Sequence, residues 1–130
     1  MMQYSLLDRR PEESCLSLLQ ENNTGVLARG SIAGGLLAGK HANSYLNYNE
    51  DEVYKMASAV QAISGLERNA SQTALQFVLM RPEITAAVVG IRTREQLRDA
   101  VAATFAPKLT ENEMAYLRSQ LPVNYYEQHR

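Results

Sequence analysis

Residues 25–40 read GVLARGSIAGGLLAGK and residues 86–96 read AAVVGIRTREQ. Each is a short apolar run, then a turn of small residues, then a helix start. Small residues let the backbone approach a ligand closely, and the unpaired N–H groups of a helix start suit phosphate. A cation lies near each turn, Lys40 in the first and Arg92 in the second. The pair predicts a phosphorylated cofactor held at the C-terminal ends of parallel strands.

Outward from these segments the chain alternates strand and helix. Residues 1–7 begin extended. Pro11 suits a first helical position, with Glu12 and Glu13 in the first turn and Cys15, Leu16, Leu18 and Leu19 as the apolar stripe. Residues 26–28 form a very short strand and 41–49 a polar surface loop dotted with tyrosine. Residues 50–63 are helical, with Val53, Met56, Ala57, Val60 and Ile63 on one face. Asn69 caps a helix over 70–80 that Pro82 ends, and 86–89 is the second buried strand. Thr93 with Gln96, and Thr110 with Glu113, are capping boxes for two further helices. The first of these turns Leu97, Val101 and Phe105 inward, and the second runs to Leu121. Met56 and Met80 are expected in the core, and Cys15 as an inert thiol among leucines.

Composition sets outer bounds. The 130 residues are 45% hydrophobic and 21% charged, enough for one domain with a real core. A net charge of −1 and an isoelectric point near 6.1 argue against nucleic acid or an anionic membrane as partner. One cysteine excludes an internal disulfide and a multi-cysteine zinc site. No apolar run of about 18 residues is present, nor an apolar signal core at the N-terminus, so both NxT/S sequons read as accidental and the chain as cytoplasmic. Reading 69–105 as a helix-turn-helix conflicts with that acidic balance and with the strand-like Ala86-Ala87-Val88-Val89.

The chain resembles the C-terminal part of an aldo-keto reductase, the NADPH-dependent eight-stranded barrel enzymes. Residues 4–9 (YSLLDR) resemble the sixth strand and the start of its helix, and 28–40 (ARGSIAGGLLAGK) the seventh strand and its cofactor loop. Residues 72–79 (QTALQFVL) resemble the helix before the last strand, and 90–97 (GIRTREQL) the eighth strand with the helix that holds the adenosine phosphate. The resemblance implies an α/β fold, a partial (β/α)8 TIM barrel with about three short parallel strands and four to five helices. It makes 1–130 a single C-terminal fragment whose residues 122–130 form a mobile tail.

Roles follow from the same resemblance. Arg29 falls where the family stacks a side chain on the nicotinamide ring, and a planar guanidinium suits that task. Gly30, Ser31, Ile32 and Ala33 offer backbone to the pyrophosphate, and Gly35 keeps the loop close. Lys40 and Arg92 bracket phosphate charge, Arg92 as the contact to the 2′-phosphate that selects NADP(H). Gly90 opens the second turn, Gln96 matches an adenosine-side ligand and Asp99 an acidic position in the same helix. Ala100 departs from the asparagine many members carry there, which weakens the adenine end.

The family's catalytic aspartate, tyrosine, lysine and histidine come from the second to fourth strands, ahead of where this match begins. His41 and His129 neighbour no tyrosine and lysine at a replacing spacing. The full enzyme would pass hydride from NADPH to an aldehyde or ketone, and this chain alone is expected to be inactive. The alternative is a non-catalytic binding or interaction module derived from the family. Three strands with helices on one side leave a bare sheet face and two open edges, so a homo-oligomer is expected.

Overall fold

A computed structural model describes residues 1–128; His129 and Arg130, the end of the expected tail, lie outside the described residues. Three parallel strands run in the order β1 (Met2–Gln3), β2 (Val26–Arg29), β3 (Ile84–Val88), so each consecutive pair is joined by a helical crossover. Met2 and Gln3 sit opposite Ala28 and Arg29, and Leu27–Arg29 opposite Ala86–Val88 after an irregularity between Val26 and Leu27. This is the α/β barrel segment expected, with five α-helices: α1 (Cys15–Glu21), α2 (Glu50–Ala62), α3 (Ala70–Leu79), α4 (Arg94–Ala102) and α5 (Glu111–Ser119).

The helices cover one face of the sheet. In β2, Val26 and Ala28 are buried toward them while Leu27 and Arg29 are exposed on the other side, the two-residue alternation of a strand covered on one face. Tyr4, Leu6, Leu7, Leu16, Val53, Met56, Val60, Phe77 and Val78 fill the core beneath. Gly25 shapes the start of the sheet, because a Cβ there would lie 2.3 Å from Thr85 Oγ1.

Several local expectations are corrected. Pro11 belongs to a separate 3-10 turn, Arg10–Glu12, and α1 begins only at Cys15. The turn aims Glu12 inward, where its carboxylate accepts from the Tyr4 hydroxyl at 2.6 Å and from Arg9 at 2.8 and 3.2 Å. Leu18 is exposed, Cys15 is half-buried, and Met80 is exposed at the end of α3 while Met56 is fully buried. The 41–49 loop is less peripheral than its polarity implied. Tyr48 is buried and donates to the Pro122 carbonyl at 2.6 Å. Within the C-terminal segment Asn124 is buried, accepts from Arg9 N at 2.9 Å and donates to Leu7 O at 3.3 Å.

The largest correction concerns α4. Leu97, Val101 and Phe105, expected inward, are 47%, 53% and 84% exposed. The side of α4 turned to α3 is held by polar bonds instead. Asp99 Oδ1 accepts from Asn69 Nδ2 and, at 3.2 Å, from Gln72 Nε2, while Gln76 Nε2 donates to the Ala103 and Ala106 carbonyls at 3.0 and 2.9 Å. The capping box at Thr93 is half-formed. Thr93 Oγ1 accepts from Gln96 N, but Gln96 turns its own oxygen to Arg92 N at 2.8 Å.

Candidate functional site

The two turns leave the C-terminal ends of β2 and β3 side by side, and a cleft of about 750 Å³ opens between them, a size that suits a small ligand. From the first turn it takes Gly30, Ser31, Ile32, Gly35 and Lys40; from the second, Gly90, Arg92, Gln96 and Asp99. Nine of the eleven residues singled out in the sequence therefore share one wall-to-wall space. Arg29 and Ala33 do not line it. Arg29 lies on the exposed sheet face, and Ala33 is buried under its turn.

The first turn is coiled tightly. Ala33 N donates to Gly30 O at 2.8 Å and Lys40 N to Gly35 O at 3.1 Å. Ala33, Gly34 and Gly35 follow one another in the left-handed region at φ 48°, 64° and 97°, a conformation glycine adopts at no steric cost. The stem of Lys40 lies across Gly35, within 3.6 Å of where a Cβ would stand. Ser31 lines the cleft, and its buried hydroxyl has no hydrogen-bond partner among the described residues. Leaving such a group unpaired costs about 1–3 kcal/mol.

Charge at the site is one-sided. No carboxylate pairs with Lys40 or Arg92 among the described residues. Asp99, the acidic residue nearby, is occupied in holding Asn69 and Gln72. Gln96 likewise points at backbone, fixing the Arg92 amide at the helix start. Two cations, a helix start and a turn of small residues make a donor set that suits a phosphate-bearing ligand. Among the described residues no group of three or more His, Cys, Asp or Glu stands ready to hold a metal, and no helix is long and apolar enough to cross a membrane.

Several participants were not singled out in the sequence. Ser71 and Leu75 of α3 line the cleft. Gln3 accepts from Arg29 Nη1 at 3.0 Å and donates to the Tyr45 hydroxyl at 2.9 Å. Its signal was register, since Gln3 faces Arg29 across β1 and β2, and register needs the paired strands. Burial and the neighbouring Asp8 push the Tyr45 hydroxyl pKa up, against Arg10 and Arg29.

Comparison with known proteins agrees with this fold. The model of the Aldo/keto reductase family matches residues 1–121. The uncharacterized oxidoreductase YqkF of Bacillus subtilis (strain 168) is 36% identical over 139 aligned residues, spanning 100% of this chain and 45% of that protein. YrpG of the same organism, also an uncharacterized oxidoreductase, is 37% identical over 77% of this chain and 33% of its own length. The holo form of aldo-keto reductase AKR11C1 from Bacillus halodurans superposes with a TM-score of 0.86 at 34% identity, covering 99% of this chain and 43% of that one. The chain thus spans less than half the length of these relatives. With the strand order, the two small-residue turns and the matched span in agreement, the chain belongs to the aldo/keto reductase family.

Proposed function

We propose that this chain carries the NADP(H)-binding part of an aldo-keto reductase-type oxidoreductase. The observation that carries the reading is the cleft itself, which brings both small-residue turns together with Lys40 and Arg92, neither of them paired with a carboxylate among the described residues. When bound, the cofactor supplies hydride for reduction of an aldehyde or ketone. The chain's own residues bind and orient it. The turn around Ser31 and Ile32, with Lys40 beside it, would receive the pyrophosphate; Arg92, just ahead of α4, would pair with the 2′-phosphate; Arg29, at the end of β2, would stack on the nicotinamide ring. Ala100 leaves the adenine end without an amide. The residues that would donate a proton to the carbonyl oxygen belong to the family's earlier strands, so this chain by itself is inactive in our reading. A cytoplasmic location accords with its single free cysteine.

A second reading, a non-catalytic module that binds its own kind, is favoured by two observations: the exposed apolar side of α4 and, among the described residues, the two open strand edges. The two readings separate by titration of the purified chain with NADPH, NADH and adenosine 2′,5′-bisphosphate. NADPH and the bisphosphate bind, NADH binds more weakly, and Arg92→Ala costs about tenfold or more in affinity for the two 2′-phosphorylated ligands, as for a lost charge-assisted hydrogen bond. Failure of the unaltered chain to bind either of these ligands would overturn the cofactor reading.

A further inference from the structure

The side chain of Arg29 lies on the exposed sheet face, where an arginine is ordinarily free to sweep many rotamers. Its one hydrogen bond among the described residues is to Gln3 Oε1 at 3.0 Å. Gln3 is itself held at its other end, where its Nε2 donates to the Tyr45 hydroxyl at 2.9 Å. Both ends of that amide are engaged, so its plane is set by where Tyr45 stands.

Tyr45 is well anchored. Its backbone exchanges two hydrogen bonds of 3.0 Å with Tyr48. Tyr48 is buried and tied to Pro122 O, and Asn47 Oδ1 accepts from the buried Asn124 at 3.2 Å. The turn is closed at a cost, for Leu46 is exposed and sits at φ 52°, a region unfavourable to a leucine. Such strain persists only where the surroundings over-determine it. The outcome of this construction is one hydroxyl delivered to Gln3.

We propose that Tyr45 is a positioning residue: acting through Gln3, it fixes the Arg29 guanidinium at the C-terminal end of β2. Insofar as this orients a nicotinamide ring, it rests on the cofactor reading above. The strut itself does not. Tyr45→Phe keeps the ring and its packing and removes only the hydroxyl, and Gln3→Leu removes the middle of the relay.

The test has two arms on the 130-residue chain. In the first, the Arg29 side-chain Nε–H signal is followed by NMR in the isotope-labelled protein. It shifts and exchanges faster in Tyr45→Phe and in Gln3→Leu, while the backbone spectrum away from the relay stays unchanged. An Arg29 signal indifferent to Tyr45→Phe overturns the proposal. In the second, Tyr45→Phe weakens NADPH about fivefold, the scale of one hydrogen bond, and leaves adenosine 2′,5′-bisphosphate, which lacks the nicotinamide half, unaffected. The double variant binds NADPH no worse than Gln3→Leu alone, because the two act in series. Equal weakening of both ligands makes Tyr45 a general structural residue and overturns the proposal. If neither ligand binds the unaltered chain, the cofactor reading falls and the Arg29 signal alone decides the relay.

Discussion

Ser31 is a residue whose cost and use separate cleanly. In the free chain its hydroxyl is buried and unpartnered, so Ser31→Ala removes a desolvated group without opening a large cavity. Urea denaturation is expected to find the variant as stable as the parent or more stable, by up to about 1 kcal/mol. NADPH titration is expected to find it the weaker binder. A loss of stability instead would mean the hydroxyl already has a partner in solution. Glu113 supplies a pH prediction. Burial raises its carboxyl, but the hydrogen bond from Arg68 at 2.7 Å and the capping bonds of Thr110 outweigh burial, and its pKa falls below the ordinary 4.5. A carboxylate depressed in the folded state stabilises fully above its unfolded pKa, and that contribution is lost as pH falls through the folded value. The stability gap between the parent and Glu113→Gln is therefore widest near neutrality and closes as pH drops below about 4.5. A gap that stays constant down to pH 3 would show that the ion pair with Arg68 is not what Glu113 contributes.

At the level of elements, the parts of the fold written in local chemistry were legible. Asn69 caps its helix and Thr110 forms the expected box with Glu113, while the reciprocal bond of Gln72 to Asn69 comes in addition. Both small-residue turns emerged at strand ends, because short apolar runs followed by Gly-rich segments leave the chain few other options. What was not legible depends on neighbours. The period of Leu97, Val101 and Phe105 announces an apolar helix face but does not say whether anything packs on it. In α4 the packed side is instead held by Asp99, Asn69, Gln72 and Gln76. The Gln3–Arg29 contact was hidden for the same reason, since it exists only through the register of β1 on β2. Strand packing also yields a prediction. A Cβ at Gly25 would stand 2.3 Å from Thr85 Oγ1, a clash the start of the sheet must absorb by moving. Gly25→Ala is expected to destabilise by about 1–3 kcal/mol, the usual cost of overpacking. Thr85→Ala, on an exposed position, is expected to cost little alone and to restore much of the loss in the double variant. Additive losses in a urea-denaturation cycle would place the cause in the backbone rather than in this contact.

Over the whole molecule, burial is lopsided. The helix-facing side of the sheet is sealed, with Val26 and Ala28 at 4% and 0% exposure, whereas Leu27 and Val88 on the opposite side remain 43% and 44% exposed. β1 and β3 each end the sheet with an unpaired edge among the described residues, and α4 with the turn after it exposes Leu97, Val101 and Phe105. Open edges beside apolar area invite pairing with another chain. We therefore expect the purified chain to self-associate, with a sedimentation coefficient that rises with concentration. Two variants separate the surfaces. Leu27→Lys places charge on the bare sheet face, and Phe105→Ser removes the most exposed apolar side chain of the α4 surface. If copies meet through their sheets, Leu27→Lys yields the monomer and Phe105→Ser leaves association intact; if they meet through α4, the pattern reverses. Neither substitution touches a residue that lines the cleft between the two turns, so NADPH affinity, measured on the resulting monomer, reports whether the proposed site is complete within one chain. A parent chain that sediments as a monomer at every concentration would remove the case for association.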